Sequence, residues 1–524
     1  MRARGRLVAL WVLLGVLVGT AGGVQAATLT AVKVTIRTTS TSLLAGSAWT
    51  VAGTATPAAR GSLVLLQTYR SGAWRTVAQD AVDGQGRYAF SHRPPVGRPA
   101  FRVVKLADRA HRQGTSPTLT PLVERCDTGP VPASSVATAF TRPGTTSTSP
   151  IATSLGRVFC SAAPRSKIRI AMYFVVTSDD GEVETVLRPL ELVHRYRAVS
   201  VRFLLDSKVY ANGAHADTLA RLRRFATVDF CTAACRSEEA TGGVMHQKFV
   251  TMSDTTLQAG VDPVVVSSTA NWSYTQLRTY WQSAQVMYAN PALTREFDIR
   301  WESLRACGTA ATGCAAWRPV YQGVALDPAV YGTVAERGVT VDPGLGERPG
   351  TAGRGTAVSF SPTPAVADPL ASALRRYSCT PEHRTVRLAV FSVSPLRRAA
   401  ADALAGLRTR GCDVSVLLND PGATVPTPAG IQMLKDRGLP VACVSRMHDK
   451  FVVLDAVFTA TGAPQQVVWS GSQNLTYAAL RYDDDALVRM TVQEGTGAYA
   501  GDVSAAHRAY GATWAAQSRT ARAC

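Results

Sequence analysis

His246-Gln247-Lys248 and His448-Asp449-Lys450 repeat one short phrase. Each is followed by an apolar stretch and then an asparagine, in Ser268-Thr269-Ala270-Asn271 and in Gly471-Ser472-Gln473-Asn474. An imidazole attacks phosphorus or protonates a leaving oxygen, an ammonium holds an anion, and a carboxamide donates to a phosphate oxygen. Two such sets in one chain supply a two-histidine site for cutting a phosphodiester. A lone His-x-Lys would mean little, since it usually marks an exposed loop or a satisfied core histidine.

The segments around the two phrases also repeat. Lys167 to Val175 matches Thr385 to Val393, and both read as buried strands. Amphipathic stretches with apolar residues at helical spacing follow, Glu184 to Ala198 and Arg397 to Gly411. Next come Val199 to Asp206 and Cys412 to Asn419, and then strands ending at Cys231 and Cys443. Strand, helix, strand at this spacing is a βαβ unit, and near-continuous apolar strands indicate a parallel sheet covered on both faces. The first copy carries extra residues between Cys231 and His246, expected as an exposed loop. One copy alone would lack half of the catalytic groups.

Duplicated His-x-Lys with a downstream Gly-Ser-x-Asn resembles the phospholipase D superfamily, over about residues 126–520. The second half matches throughout, with His448, Lys450, Asp455, Gly471, Ser472 and Asn474. The first keeps His246, Lys248 and Asn271. Ser253 stands where the family has an aspartate, and Ser268-Thr269 replaces Gly-Ser. The resemblance implies an α/β fold of two pseudo-symmetric α/β/α halves forming one active site, in a monomer with both half-sites in one chain. It also implies a phosphoric diester hydrolase in which one histidine, His246 by the family's habit, forms a phosphohistidine while His448 acts as the acid. Lys248, Lys450, Asn271 and Asn474 would hold the non-bridging oxygens. No metal or other cofactor is expected, because no carboxylate cluster suited to one stands in the sequence.

Beyond the asparagines the halves differ: Asn474 is followed by Asp483-Asp484-Asp485, Asn271 by Gln282. Tyrosyl-DNA phosphodiesterases pair such groups across the dyad. That resemblance places Asp485, or Asp484, on His246 and Gln282 on His448. A carboxylate favours and orients a cationic imidazole whereas an amide only orients one, so the two histidines would differ in role. Asp455, Ser472 and Thr269 complete the supporting set.

The rest of the chain sets the context. At 524 residues it exceeds a single core. Arg2, Arg4 and Arg6, the apolar run Leu7 to Val18 and small residues up to Ala26 read as a secretory signal peptide, 1–26, too short in its apolar run for an anchor. Residues 27–123 hold short alternating segments between Gly, Pro and Ser. They predict a small all-β sandwich, resembling exported immunoglobulin-like modules, with a spacing or adhesive role. The remainder divides into a first half at 126–325, a Gly/Pro-rich linker or set of loops at 326–364, and a second half at 365–524. Ten cysteines suggest up to five disulfides in an oxidising compartment, Cys231–Cys235 and Cys307–Cys314 being close enough to pair locally. A zinc site at Cys231-x-x-x-Cys235 is disfavoured for want of a second ligand pair.

The formal charge of +19 would steer anionic substrates. Three readings of the substrate remain: a phospholipid headgroup diester, hydrolysed or transferred to an alcohol; a nucleic acid; and, for a decayed site, polyanion binding without turnover. Secretion and the family resemblance favour lipid, with Trp272, Tyr280 and Trp281 as candidate interfacial aromatics. No dense basic stripe with interleaved aromatics supports nucleic acid. A membrane-bound cardiolipin synthase is disfavoured by the lack of a later apolar run of bilayer length.

Overall fold

The computed structural model describes residues 29–145, 147–177, 181–232, 234–235, 243–309, 355–363, 368–421, 426–492 and 503–524, with the backbone of short strands at 320–321, 324–325 and 340–341. The expected signal peptide and most of the 326–364 stretch lie outside these residues. The chain divides into two compact units, Met1–Arg125 and Cys126–Cys524.

Every regular element described in the first unit is a strand. Trp49–Thr56 pairs antiparallel with Arg87–His92, and Leu63–Arg70 pairs antiparallel with Ala73–Ala81 and Phe101–Lys105. Alternation turns one face of each strand inward. Trp49, Val51, Phe90, Val64, Leu66, Phe101 and Val103, drawn from both sheets, form one apolar cluster.

The second unit is built on two mixed sheets. The first runs Val136–Thr141, Gln282–Tyr288, Val264–Ser268, Lys248–Met252, Lys167–Met172, Ser200–Asp206, Thr227–Cys231, and only its last three strands are parallel. In the second sheet Ala486–Thr491, Ala463–Gly471, Lys450–Phe458, Thr385–Val390, Asp413–Asn419 and Val441–Val444 follow one another, again with the last three parallel. Thr356–Phe360, inside the stretch read as a linker, pairs antiparallel with Ala486–Thr491. Its apolar residues Ala357, Val358 and Phe360 are buried, which is why it joins the sheet.

Helices cover the outer faces. Glu182–Arg197 buries Val183, Val186, Leu187, Leu190 and Val193 against the first sheet, and Arg398–Thr409 buries Ala400, Leu404 and Leu407 against the second. A third apolar cluster lies between the sheets. It joins Val265 and Met287 of one to Val468 and Val488 of the other, with Phe297 and Trp301 from helix Pro291–Thr309 and Tyr510 from helix Ser504–Ser518. This middle layer fixes one sheet on the other and so fixes anything built from both.

Cys126–Cys160, Cys231–Cys235, Cys379–Cys412 and Cys443–Cys524 are disulfides, and Cys307 is also disulfide-bonded; Cys314 is outside the described residues. No described helix is long and apolar enough to cross a membrane. The interfacial reading fails for Trp272 and Trp281. Trp272 is fully buried against Phe159 and Phe203, and Trp281 packs into the middle layer. Only Tyr280 remains half-buried beside the site.

Candidate active site

Lys248 and Lys450 open the strands at the middle of their sheets, opposite Met172 and Val390. Each histidine lies two residues earlier, just off the strand end. The amide before each is held by the end of the next strand but one: Met245 N donates to Asp206 Oδ2 at 2.8 Å, and Met447 N donates to Asn419 Oδ1 at 3.0 Å. In the sequence Asp206 and Asn419 belong to no site motif and stand only as the ends of the matching runs Leu204-Leu205-Asp206 and Leu417-Leu418-Asn419.

Each histidine is bonded to the opposite sheet. His246 Nδ1 donates to Asp485 Oδ1 at 2.8 Å, and His448 Nδ1 lies 3.1 Å from Gln282 Oε1. The Gln282 amide is oriented by its own partners. Its nitrogen donates to Gln276 Oε1, and its oxygen accepts from the Thr269 hydroxyl at 2.7 Å. With an acceptor facing each Nδ1, that nitrogen carries the proton and Nε2 is the basic nitrogen of each neutral ring. Lys450 Nζ lies 3.1 Å from His448 Nδ1, but two donors cannot bond each other. Its real acceptor is the His448 carbonyl at 2.6 Å, as the His246 carbonyl is for Lys248 at 2.7 Å.

Ser472 plays the part that Thr269 plays opposite. Its hydroxyl accepts from Ala486 N at 3.0 Å and helps to hold the Asp485 carboxylate. A Cβ at Gly471 would collide with the Ala486 carbonyl, so glycine is what lets this turn approach the strand bearing Asp485. Asn271 Oδ1 and Asn474 Oδ1 are buried without a hydrogen-bond partner among the described residues. Orphaned amide oxygens inside a protein are uncommon, and here both follow the two histidine strands. Tyr173 packs edge-on against His246, with Lys248 over its ring; Phe391 packs against His448, with Lys450 over its ring.

The remaining sequence candidates lie elsewhere. Asp484 does not reach a histidine: its Oδ1 accepts from Arg300 at 2.9 Å and its Oδ2 accepts from Cys235 N. Alternation explains this, because neighbouring residues entering a strand point to opposite faces. Asp455 sits five residues along the strand from Lys450 and pairs with His383 at 2.8 Å, away from the site. Cys231, Cys235 and Asp484 cluster closely, but the sulfurs are bonded to each other and Arg300 occupies the carboxylate.

Burial dominates the electrostatics. Burial and the neighbouring Lys248 bring His246 down to about 4, against the pull of Asp485. Burial, Lys450, Lys248 and His246 hold His448 well below its ordinary value, against the pull of the Thr269 backbone. Burial lowers Lys248 to about 7 and depresses Lys450 strongly, the latter helped by Lys248. Burial opposes ionisation of Asp485, yet His246 and Lys248 outweigh it and keep that carboxyl below its usual range. Burial and the charge of Asp485 raise Asp483 to about 7. Four groups able to carry positive charge thus lie close together with one carboxylate bonded to them, an arrangement that an anionic ligand would complete.

Asp449, between His448 and Lys450, is fully buried beneath the site and accepts from Gln517 Nε2 at 2.6 Å. Burial raises it to about 6, against Ser283, Lys450 and Gln517. Its folded value lies above the unfolded one, so the folded state binds the proton more tightly. The contribution of Asp449 to stability is greatest below about pH 4 and is lost as pH rises toward 6. Asp449→Asn is therefore expected to gain on the order of 3 kcal/mol in urea unfolding at pH 8 and close to nothing at pH 4. An equal gain at both pH values would exclude this origin.

No curated protein matches this chain. Among solved structures, one that aligns is the CARDB domain of a Pyrococcus furiosus protein in complex with di-metal ions. It is 10% identical, covers 18% of this chain and 91% of that one, and has a TM-score of 0.13, at which a likeness says nothing of the fold. A family model does match: that of the cardiolipin synthase, PLD-like domain, over residues 381–503. His448, Lys450, Ser472, Asn474 and Asp485 all fall within the match, so the second sheet's share of the site lies in a PLD-like domain, of a superfamily whose members are generally phosphodiesterases.

Proposed function

We propose that this chain is an exported phosphodiesterase of the phospholipase D type, with His246 and His448 as its reacting groups. The observation that carries this reading is the cross-pairing of the histidines, His246 with Asp485 and His448 with Gln282, with Lys248 and Lys450 both close enough to act on the two rings. His246 Nε2 attacks phosphorus while His448, protonated once an anionic phosphate is beside it, donates to the leaving oxygen. The phosphohistidine is cationic, and Asp485 opposite its Nδ1 stabilises that charge. His448, now neutral, takes a proton from water or an alcohol, which attacks phosphorus and releases His246. Lys248, Lys450, Asn271 and Asn474 hold the phosphoryl oxygens. The N-terminal unit serves as a spacer or adhesive module.

The proposed substrate is a phospholipid headgroup diester, on the ground of the PLD-like domain and the expected export. Purified protein in EDTA is incubated with phosphatidylcholine vesicles and, separately, with plasmid DNA. Choline release without nicking is the expected result. Nicking alone would shift the reading to a nuclease, and neither reaction would leave a polyanion-binding protein. Activity lost in EDTA and restored by a divalent ion would overturn the metal-free mechanism.

A further inference from the structure

Arg300 lies within helix Pro291–Thr309 of the first sheet's half and is almost wholly buried, at 4% exposure. Its Nη2 donates to Asp484 Oδ1 at 2.9 Å and also to the Ser361 carbonyl. Ser361 in turn grips the next residue at both ends, its Oγ accepting from Asp485 N at 3.2 Å and its N donating to the Asp485 carbonyl at 3.0 Å. The other Asp484 oxygen accepts from Cys235 N, inside the Cys231–Cys235 disulfide loop. Val244 N donates to Asp483 Oδ1 at 3.0 Å and Asp484 N donates to the Val244 carbonyl at 3.0 Å. The aspartate run is thus laced to the half that carries His246, and one guanidinium holds both the residue before Asp485 and the residue that brackets it.

We propose that Arg300 is a positioning residue for His246, acting through Asp484 and Ser361 to keep Asp485 on the imidazole. The inference rests on the phosphodiesterase reading for its consequence in turnover, though not for its geometry. Three carboxylates in succession repel one another, and a buried Asp484 that lost the Arg300 guanidinium would be pushed to take up a proton or to shift. Either change moves the backbone that presents Asp485. The equivalent place on the other side is filled by Trp281, whose N donates to the Arg446 carbonyl at 2.8 Å and whose carbonyl accepts from His448 N at 3.0 Å. An apolar residue suffices there because Gln282, which it positions, carries no charge.

The test pairs Arg300→Met with the double variant Arg300→Met/Asp484→Leu, which removes both charges and leaves an apolar contact in their place, a replacement that buried ion pairs often tolerate. Both are expected to lower kcat by about 10- to 100-fold with KM little changed, the scale on which supporting partners of reacting groups act. Arg300→Lys, keeping the charge, is expected to recover part of the loss. The deciding measurement is the imidazole titration by NMR. Loss of the Asp485 contact should lower the His246 midpoint and leave that of His448 in place. A folded double variant with unchanged kcat and an unchanged His246 titration would overturn the proposal. So would equal shifts at both histidines, which would indicate diffuse loosening. The titration needs no substrate, so it decides the inference even if the phosphodiesterase reading fails.

Discussion

With His246 replaced by alanine, turnover is expected to fall by roughly 10^5-fold or more, the scale of removing a covalent nucleophile. His448→Ala should fall about as far on natural diesters, whose alkoxide needs a proton to depart. The two variants separate on a diester of p-nitrophenol, which leaves without protonation. His448→Ala should then release one equivalent of p-nitrophenolate and stall as a phosphohistidine. His246→Ala should release none. An alkaline quench followed by mass spectrometry reads the modified residue. Modification of His448 in the His246→Ala protein would reverse the assigned roles. The asymmetry expected here has a local cause: His246 faces a carboxylate at 2.8 Å, whereas His448 faces an uncharged amide at 3.1 Å.

Asp485→Asn should have the next largest effect, roughly 10^2- to 10^4-fold in kcat, by comparison with loss of the orienting carboxylate in other histidine sites. An asparagine oxygen can still accept from Nδ1, as Gln282 does opposite, so geometry alone would survive. The compensation of the phosphohistidine's charge would not. The pH profile gives an independent check. Attack requires neutral His246, so the acid limb of kcat/KM follows its midpoint near pH 4. Asp485 is what favours the imidazolium, and its loss should move that limb to still lower pH. A limb moving upward would mean that another group sets it.

Much of this site is legible in the sequence because its parts are tied to a period. His246, Lys248 and Asn271 recur as His448, Lys450 and Asn474, and the structure brings all six to adjoining strand ends. The pairings of Gln282 and Asp485 came from a family's habit and coincide with bonds found here. What was illegible depended on which face a residue takes at a strand end. Asp484 and Asp485 look interchangeable in a run of three, yet one meets Arg300 and the other His246. Asp455 has the family's spacing, but a continuous strand carries it five residues from Lys450, out to His383. Trp272 and Trp281 flank a polar motif and still pack inward, since aromatic bulk gains more from core burial than from the rim. Arg300 belongs to no motif, and its partner lies 184 residues away.

The exchange of partners between the sheets also has a consequence in time. During synthesis the His246 strand emerges first, and the acceptor for its imidazole follows 239 residues later. At about 5–20 residues per second this is an interval of roughly ten to fifty seconds. Through it, and in any product truncated before Asp485, His246 lacks its carboxylate, even after Gln282 and His448 have both been made. Under the proposed function, an activity that could harm the cell making it would stay inert until nearly the whole polypeptide has been made.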